Sequence, residues 1–257
     1  MPVIHDLDVV RAILDRDRAW AAYAIGDLAP SFVAHCEWYV PAGDASGLVL
    51  LYRGFNPPIV FAMGDTVVLA PLFSELHASE ISLHVQAEPL AALSERYAPT
   101  SVQPMVRMQL EPAAFRPVEI GDVRPIGEAD LDAVTALFEE GHARGQGPTH
   151  FTPAMIRQGT FRGVWDAGAL VAIAGSHLYS RELGVCTIGN VYTRSDHRRR
   201  GLAARVTAAV VAQALADNIP TIVLNVSREN VTAKRVYERL GFTAYCEFFE
   251  GTARRRR

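Results

Sequence analysis

Apolar residues along this chain fall into two successive patterns, each a helical period followed by short strand-like runs. Over residues 8–28, Val9, Ile13, Trp20 and Tyr23 recur near helical spacing and Pro30 stops the run, which predicts a helix. Runs at 37–40, 48–52 and 59–63 predict strands. Residues 66–76 read as a helix, 81–85 as a strand, 90–97 as a helix and 102–110 as an alternating strand. Pro112 and Pro117, flanking an Ala-Ala-Phe stretch, mark a connection between halves.

The pattern then restarts. Residues 123–125 read as a short strand, and 128–140 as a helix with Leu131, Val134, Leu137 and Phe138 on one side. The polar, Gly-containing stretch 142–153 reads as a loop. Strands follow at 161–166, 170–178 and 186–193, with a turn signal at 166–168. A helix over 201–217 turns Leu202, Val206, Val210 and Leu215 inward. After Pro220 comes the apolar strand 221–226. Asn230 can cap a helix running to Leu240, Gly241 suits its left-handed end, and 242–249 is a last strand. The same order of elements thus occurs twice without a residue-level repeat. It predicts two domains of an α/β chain, residues 1–117 and 118–257, related by an ancient duplication.

Composition narrows the function classes. At 257 residues and 49% apolar content, the chain can bury a sizeable core. A formal charge of −3 gives no electrostatic reason to expect nucleic acid or a membrane surface. The basic run at 254–257 reads as a frayed, solvated tail. Cys36, Cys186 and Cys246 are odd in number, far apart and lack CxxC spacing. No disulfide framework or zinc site is expected, and the usage fits a reducing cytoplasm. Neither a signal pattern nor a membrane-length apolar run is present, so a cytoplasmic location is the expectation; a homodimer is left open.

The candidate chemistry lies at 191–203. An apolar strand enters a basic loop, Arg198-Arg199-Arg200, and Gly201 opens a helix. The first turn of a helix leaves backbone N–H groups unpartnered, and with the helix dipole they attract an anion. Gly201 permits close approach and Ala203 keeps the next turn small. An exposed basic loop before an ordinary helix is the plain alternative.

The loop resembles the R/Q-x-x-G-x-G/A signature of the GNAT superfamily of N-acetyltransferases, here Arg198-x-x-Gly201-x-Ala203. Downstream, the segment from Asn225 through Asn230, Ala233 and Tyr237 to Gly241-Phe242 is similar to that family's N-x-x-A-x-x-x-Y-x-x-x-G-F stretch. The resemblance spans about 123–249, and is closest to tandem forms whose N-terminal half is degenerate. It implies a GNAT fold in each half, a mixed central sheet flanked by helices. It also implies acetyl-CoA as co-substrate, no metal, and transfer of the acetyl group to a primary amine of a small molecule or peptide.

Roles follow position by position. Main-chain groups of Val191, Tyr192 and Thr193 would pair with the pantetheine arm, as an extended ligand adds to a strand edge. Arg198, and the amides from Arg199 through Arg200, Gly201, Leu202 and Ala203 to Ala204, would hold the pyrophosphate. Asn225 falls within the cofactor-binding set. Asn230 would hydrogen-bond the CoA arm, besides or instead of capping a helix. Tyr237 would stand beside the thioester sulfur and hand its proton to the leaving thiolate; the alternative is a packed aromatic. A strand amide near Val191 would serve the developing oxyanion.

The base is less well marked. Thr187 stands where some GNAT enzymes carry a Glu. His177 is the substitute, because an imidazole titrates in the right range, against the alternative of a satisfied core or edge histidine. Asn190 is a further candidate for orienting substrate or water. Glu139 and Glu140 end the first helix of the C-terminal half, where they could meet a cationic amine, but a solvated helix end is the preferred reading. In the N-terminal half, Met63-Gly64-Asp65-Thr66 carries no Arg and no small-residue pattern, and Asp65 has the wrong charge for a phosphate. Two other readings remain: a non-catalytic acyl-CoA sensor, and a transferase using another acyl donor.

Overall fold

The computed structural model describes residues 4–148 and 150–256. In chain order, the first elements are α1 (Leu7–Leu14), α2 (Arg18–Gly26), β1 (Cys36–Tyr39), β2 (Leu48–Tyr52) and β3 (Ile59–Met63). They are followed by α3 (Thr66–Ser74), β4 (Glu80–Val85), α4 (Ala87–Leu93) and β5 (Tyr97–Leu110). The second series is β6 (Arg124–Pro125), α5 (Leu131–Ala143), α6 (Pro153–Gln158), β7 (Phe161–Asp166), β8 (Ala169–Ser180) and β9 (Val185–Thr193). It ends with α7 (Leu202–Ala216), β10 (Thr221–Ser227), α8 (Val231–Arg239) and β11 (Thr243–Arg255).

The chain divides into two units. One comprises Met1–Arg107, Val226–Glu229 and Tyr245–Arg257; the other comprises Met108–Asn225 and Asn230–Ala244. They differ from a simple cut at residue 117, because the C-terminal end belongs with the N-terminal unit.

In the N-terminal unit the strand order is β1-β2-β3-β4-β11-β5. β1, β2 and β3 are antiparallel neighbours, and β3 runs parallel to β4. All five residues of β2 are buried, as expected of a strand covered on both faces. β4 alternates partly buried and buried positions, and its inward residues Ile81, Leu83 and Val85 join Leu69, Leu72 and Phe73 of α3 in one core. Arg107 of β5 is fully buried against α2, donating to the carbonyls of Ala19 (3.1 Å) and Trp20, with its guanidinium over the Trp20 and Tyr23 rings (4.9 Å each). A buried charge persists because its donors are satisfied in this way.

In the C-terminal unit the order is β10-β9-β8-β7-β6. β7, β8 and β9 are antiparallel neighbours, and β9 runs parallel to β10. The core joins Val134, Leu137 and Phe138 of α5 to Phe161, Ile173 and Tyr192 of the sheet. Antiparallel strands, then a helix, then a parallel strand recur in both units, which matches the duplicated element order read from the sequence.

Four expectations are corrected. The helix over 8–28 is two helices, because a single 3-10 turn at Asp15–Asp17 intervenes and Asp17 caps Trp20 N (3.0 Å) to restart it. The helix expected at 90–97 lies earlier, since Tyr97 already belongs to β5 and its buried hydroxyl donates to the carbonyls of Leu76 (3.3 Å) and Ala78 (2.9 Å). The loop 142–153 runs into a helix, α6, signalled by Thr152 before Pro153 at the first helical position. The basic tail is not frayed: β11 pairs antiparallel with β4 through Arg254↔Glu80, and Arg255 N donates to Ser79 O (2.8 Å). Arg257 lies outside the described residues. Cys36, Cys186 and Cys246 are free. No helix among the described residues is long and apolar enough to cross a membrane.

Candidate active site

The C-terminal unit opens its own sheet. β9 and β10 pair from Thr221↔Val185 to Leu224↔Ile188, and the ladder stops there although both strands continue. At the same level β9 is irregular. Gly175↔Gly189 and Ile173↔Tyr192 leave Asn190 and Val191 opposite the single residue Ala174, a bulge in which Asn190 takes φ +53°. A second bulge sets His177 on β8 outside the ladder, between Ser176↔Ile188 and Leu178↔Thr187. The main chain of Val191–Thr193 thus lies where the β10 side has no ladder. Thr193 Oγ1 is buried there without a hydrogen-bond partner among the described residues.

The loop after β9 leads to α7, whose N-terminus no side chain caps. Gly201 takes φ +76°, a left-handed conformation that glycine adopts without steric cost, and Arg199 takes φ +63°. A Cβ at Gly201 would meet nothing within 4 Å, so the space in front of the first turn is open. The free N–H groups of that turn and the helix dipole therefore face outward.

Ion pairs fix this loop. His197 is buried, with Nε2 2.8 Å from Asp166 and Nδ1 2.6 Å from Asp196. Arg194 also binds Asp196 (2.8 Å). Arg194 and His197 hold the Asp196 carboxyl far below the usual carboxylate range. The arginines diverge: Arg198 turns back to Thr193 O (3.2 Å) and Gln146 Oε1 (2.8 Å), Arg200 reaches Asp196 O (3.4 Å), and Arg199 is exposed.

Glu140 was read from sequence as a solvated helix end, and its position is different. It accepts from the Tyr192 hydroxyl (2.7 Å), Ser195 Oγ (3.0 Å) and Arg144 Nε (2.6 Å). These donors hold its carboxyl below the ordinary value against the opposing effect of burial, which is the largest single influence. Glu140 therefore ties α5 to β9 and to the start of the loop. His197 and Glu140 act through contacts 31 and 52 residues apart, which no local pattern signals.

Thr187 is fully buried, and its Oγ1 accepts from Leu178 N (2.9 Å), so it is taken up in holding the β8 bulge. His177, beside it, is partly buried, and desolvation followed by the charge of His150 pushes its imidazole down to about 4. The expectation that it titrates near neutrality fails; it is a neutral ring at physiological pH. The Asn190 side chain opposes the shift, yet Asn190 Oδ1 is buried and has no hydrogen-bond partner among the described residues. Asn190 Nδ2 lies 3.7 Å from Met155 Sδ on α6.

The His177 ring covers Gly189, where a Cβ would collide with it. Gly189→Ala is expected to lower stability by about 1–3 kcal/mol, as inserting a methyl group into a filled site does. Urea unfolding measures this, and an unchanged midpoint at unchanged slope would mean that the ring swings away freely.

Asn225 is partly buried at the end of β10. Asn230 caps α8, accepting from Ala233 N (3.0 Å). Tyr237 lies one turn beyond Ala233, 7% exposed, edge-on to Phe242 (6.1 Å). Burial raises its phenol to about 12, so it stays protonated through the physiological range. No cluster of three His, Cys, Asp or Glu side chains suited to a metal occurs among the described residues.

A family model described as FR47-like protein matches residues 163–249, which hold most of β7, β8 to β10, the loop, α7, α8 and part of β11. A solved GNAT-family structure from Novosphingobium aromaticivorans is 25% identical over 81% of this chain and 89% of that one, with a TM-score of 0.60. The chain is thus similar to GNAT-family proteins in fold and, over its FR47-like stretch, in sequence. A GCN5-related N-acetyltransferase from Kribbella flavida shares the GNAT fold at 20% identity, covering 90% of this chain and 95% of its own (TM-score 0.58). A tandem GNAT protein from the clavulanic acid biosynthesis pathway does so at 16% identity, over 99% and 97% (TM-score 0.57). No curated relative matches the chain by sequence. The FR47-like stretch includes every residue singled out for cofactor contact.

Proposed function

We propose that the protein is an N-acetyltransferase that moves the acetyl group of acetyl-CoA to a primary amine of a small molecule or peptide, using the C-terminal unit alone. The observation that carries this reading is the uncapped, outward-facing start of α7 behind left-handed Gly201, next to a β9 edge that has left β10. The buried, unpartnered Thr193 Oγ1 on that edge is a polar atom that a bound ligand would satisfy. When bound, acetyl-CoA supplies an acyl carbon activated as a thioester.

The chain's own groups then have distinct tasks. Amides from Arg199 through Ala204 hold the pyrophosphate at the positive end of α7. Arg198 lies beside them and can exchange Gln146 for a phosphate oxygen. Main-chain groups of Val191–Thr193 hold the extended arm as an added strand would be held. The Tyr237 phenol keeps a proton to give to the departing sulfur. Asn190 and His177 face the acceptor side.

The N-terminal unit is a poor second site. At its corresponding strand-to-helix junction, a Cβ at Gly64 would lie 2.8 Å from Gly47 Cα, so the chain itself closes against the junction. Asp65 precedes α3 with a negative charge. Calorimetry with acetyl-CoA is therefore expected to give about one site per chain. Two equal sites would overturn the asymmetry, and no binding would overturn the function.

A further inference from the structure

The loop between β9 and α7 is anchored at one buried residue. Between Thr193 and Leu202 only His197 is buried, at 6% exposure, while Arg198 through Gly201 are exposed. The main chain there closes a single 3-10 turn, Ser195–His197, with His197 N donating to Arg194 O (2.9 Å). Arg199 nevertheless keeps a left-handed backbone, φ +63°, which a non-glycine residue holds only where its surroundings impose it. His197, two residues earlier, is the nearest fixed point.

Each ring nitrogen of His197 faces a carboxylate oxygen, Nε2 toward Asp166 (2.8 Å) and Nδ1 toward Asp196 (2.6 Å). Ionised carboxylates accept and do not donate, so the ring satisfies both only by donating from both nitrogens. Both carboxyls are held below their ordinary range, Asp166 by His197 first, and Asp196 by Arg194 and then His197. Arg194 and Arg200 are the other charged groups acting on Asp166. Asp166 is itself aimed by two local devices. A bulge at Val164/Trp165 shifts the β7–β8 register just before it. A two-residue turn follows, Ala167 (φ +47°) and Gly168 (φ +81°), closed by the pair Asp166↔Ala169. Alanine takes that left-handed conformation at a steric cost, so more than local preference sets the turn.

We propose that His197 and Asp166 are positioning residues for acetyl-CoA, tying the phosphate loop to the β7–β8 turn so that the amides at the start of α7 converge on the pyrophosphate. This rests on the acetyl-CoA reading above. The pair acts with a sign opposite to that of charge alone. A carboxylate near a phosphate repels it, so deleting Asp166 would tighten binding if charge were its whole influence. A tie that orders the loop works the other way, because without it the loop must be ordered at the expense of binding.

Calorimetry with acetyl-CoA on Asp166→Ala and Asp166→Asn tests this. The Asp166 side chain is 56% exposed at a hairpin end, so neither substitution empties the core, and native circular dichroism is expected of both. Alanine removes the acceptor for His197 Nε2. Asparagine keeps a carbonyl oxygen there without the charge, in a residue type that suits turns. The Ala variant is expected to bind acetyl-CoA about five- to tenfold more weakly, the worth of a half-exposed charge-assisted hydrogen bond, and the Asn variant to recover most of the loss. Native affinity in the Ala variant, tighter binding, or no recovery by asparagine overturns the positioning role while the native protein still binds acetyl-CoA. Failure of the native protein to bind acetyl-CoA removes the function itself and the positioning role with it.

Discussion

Gly201→Asp is expected to abolish acetyl-CoA binding in a protein that remains folded. The residue stands at the start of α7 with φ +76°, and a Cβ placed on it meets nothing within 4 Å. The side chain therefore fits without a clash. The backbone cost of a left-handed non-glycine residue is about 1–2 kcal/mol, and aspartate is among the residues that bear it best. A carboxylate near the first turn also favours the helix itself, which offsets part of that cost. Toward a pyrophosphate the sign reverses. Two like charges at about 4 Å repel by about 4 kcal/mol at the effective dielectric of a protein surface, close to a thousandfold in affinity. Gly201→Ala imposes at least as much backbone strain without the charge and should retain most of the affinity. Calorimetry on both variants, with circular dichroism for the fold, separates charge from strain. Native affinity in a folded Asp variant would place the phosphate elsewhere.

The limits of several strands were legible because the local code was unambiguous. β2, β3 and β7 begin and end where the apolar runs and turn residues place them. Where ordering depends on a distant strand, the sequence is silent. The last arginines looked like a tail because nothing near them in the chain explains why they are extended. Glu80, the cross-strand partner of Arg254, is far away in sequence. The break at Asp15–Asp17 was legible in principle, since Asp17 three residues before Trp20 is an N-cap signal.

The site divides in the same way. Its phosphate loop is a contiguous pattern whose physics is local: a strand end, glycine and the first turn of a helix. What holds the loop is not contiguous. His197 grips Asp166 across the end of a hairpin, and Glu140 gathers Tyr192 and Ser195 from another helix. Both were passed over because an isolated histidine in a basic loop and a glutamate at a helix end are each common on a solvated surface. His177 was found, but its titration was misjudged. A sequence gives the ring's intrinsic proton affinity, and only packing reveals that burial and His150 lower it.

Tyr237→Phe should leave acetyl-CoA binding nearly unchanged and slow the chemical step. Phenylalanine keeps the ring that lies edge-on to Phe242, and the helix is still capped by Asn230. The pyrophosphate amides of α7 and the main chain of β9 are untouched, so affinity has no reason to fall. What disappears is one hydroxyl. Burial raises the phenol to about 12, so its proton stays in place to hydrogen-bond the departing sulfur, while the transfer itself is driven less strongly. The acid form therefore persists on the alkaline side, and loss of this proton should not limit the rate until well above pH 10. Removing a general acid typically costs 10²–10⁴-fold, and a thiolate leaves readily, so a loss of about a hundredfold is the expectation. Single-turnover acetyl transfer at saturating acetyl-CoA isolates this step from product release. A native single-turnover rate in the Phe variant would return Tyr237 to a packing role. A lower rate accompanied by weaker acetyl-CoA binding would instead mean that the hydroxyl holds the cofactor in both ground and transition states.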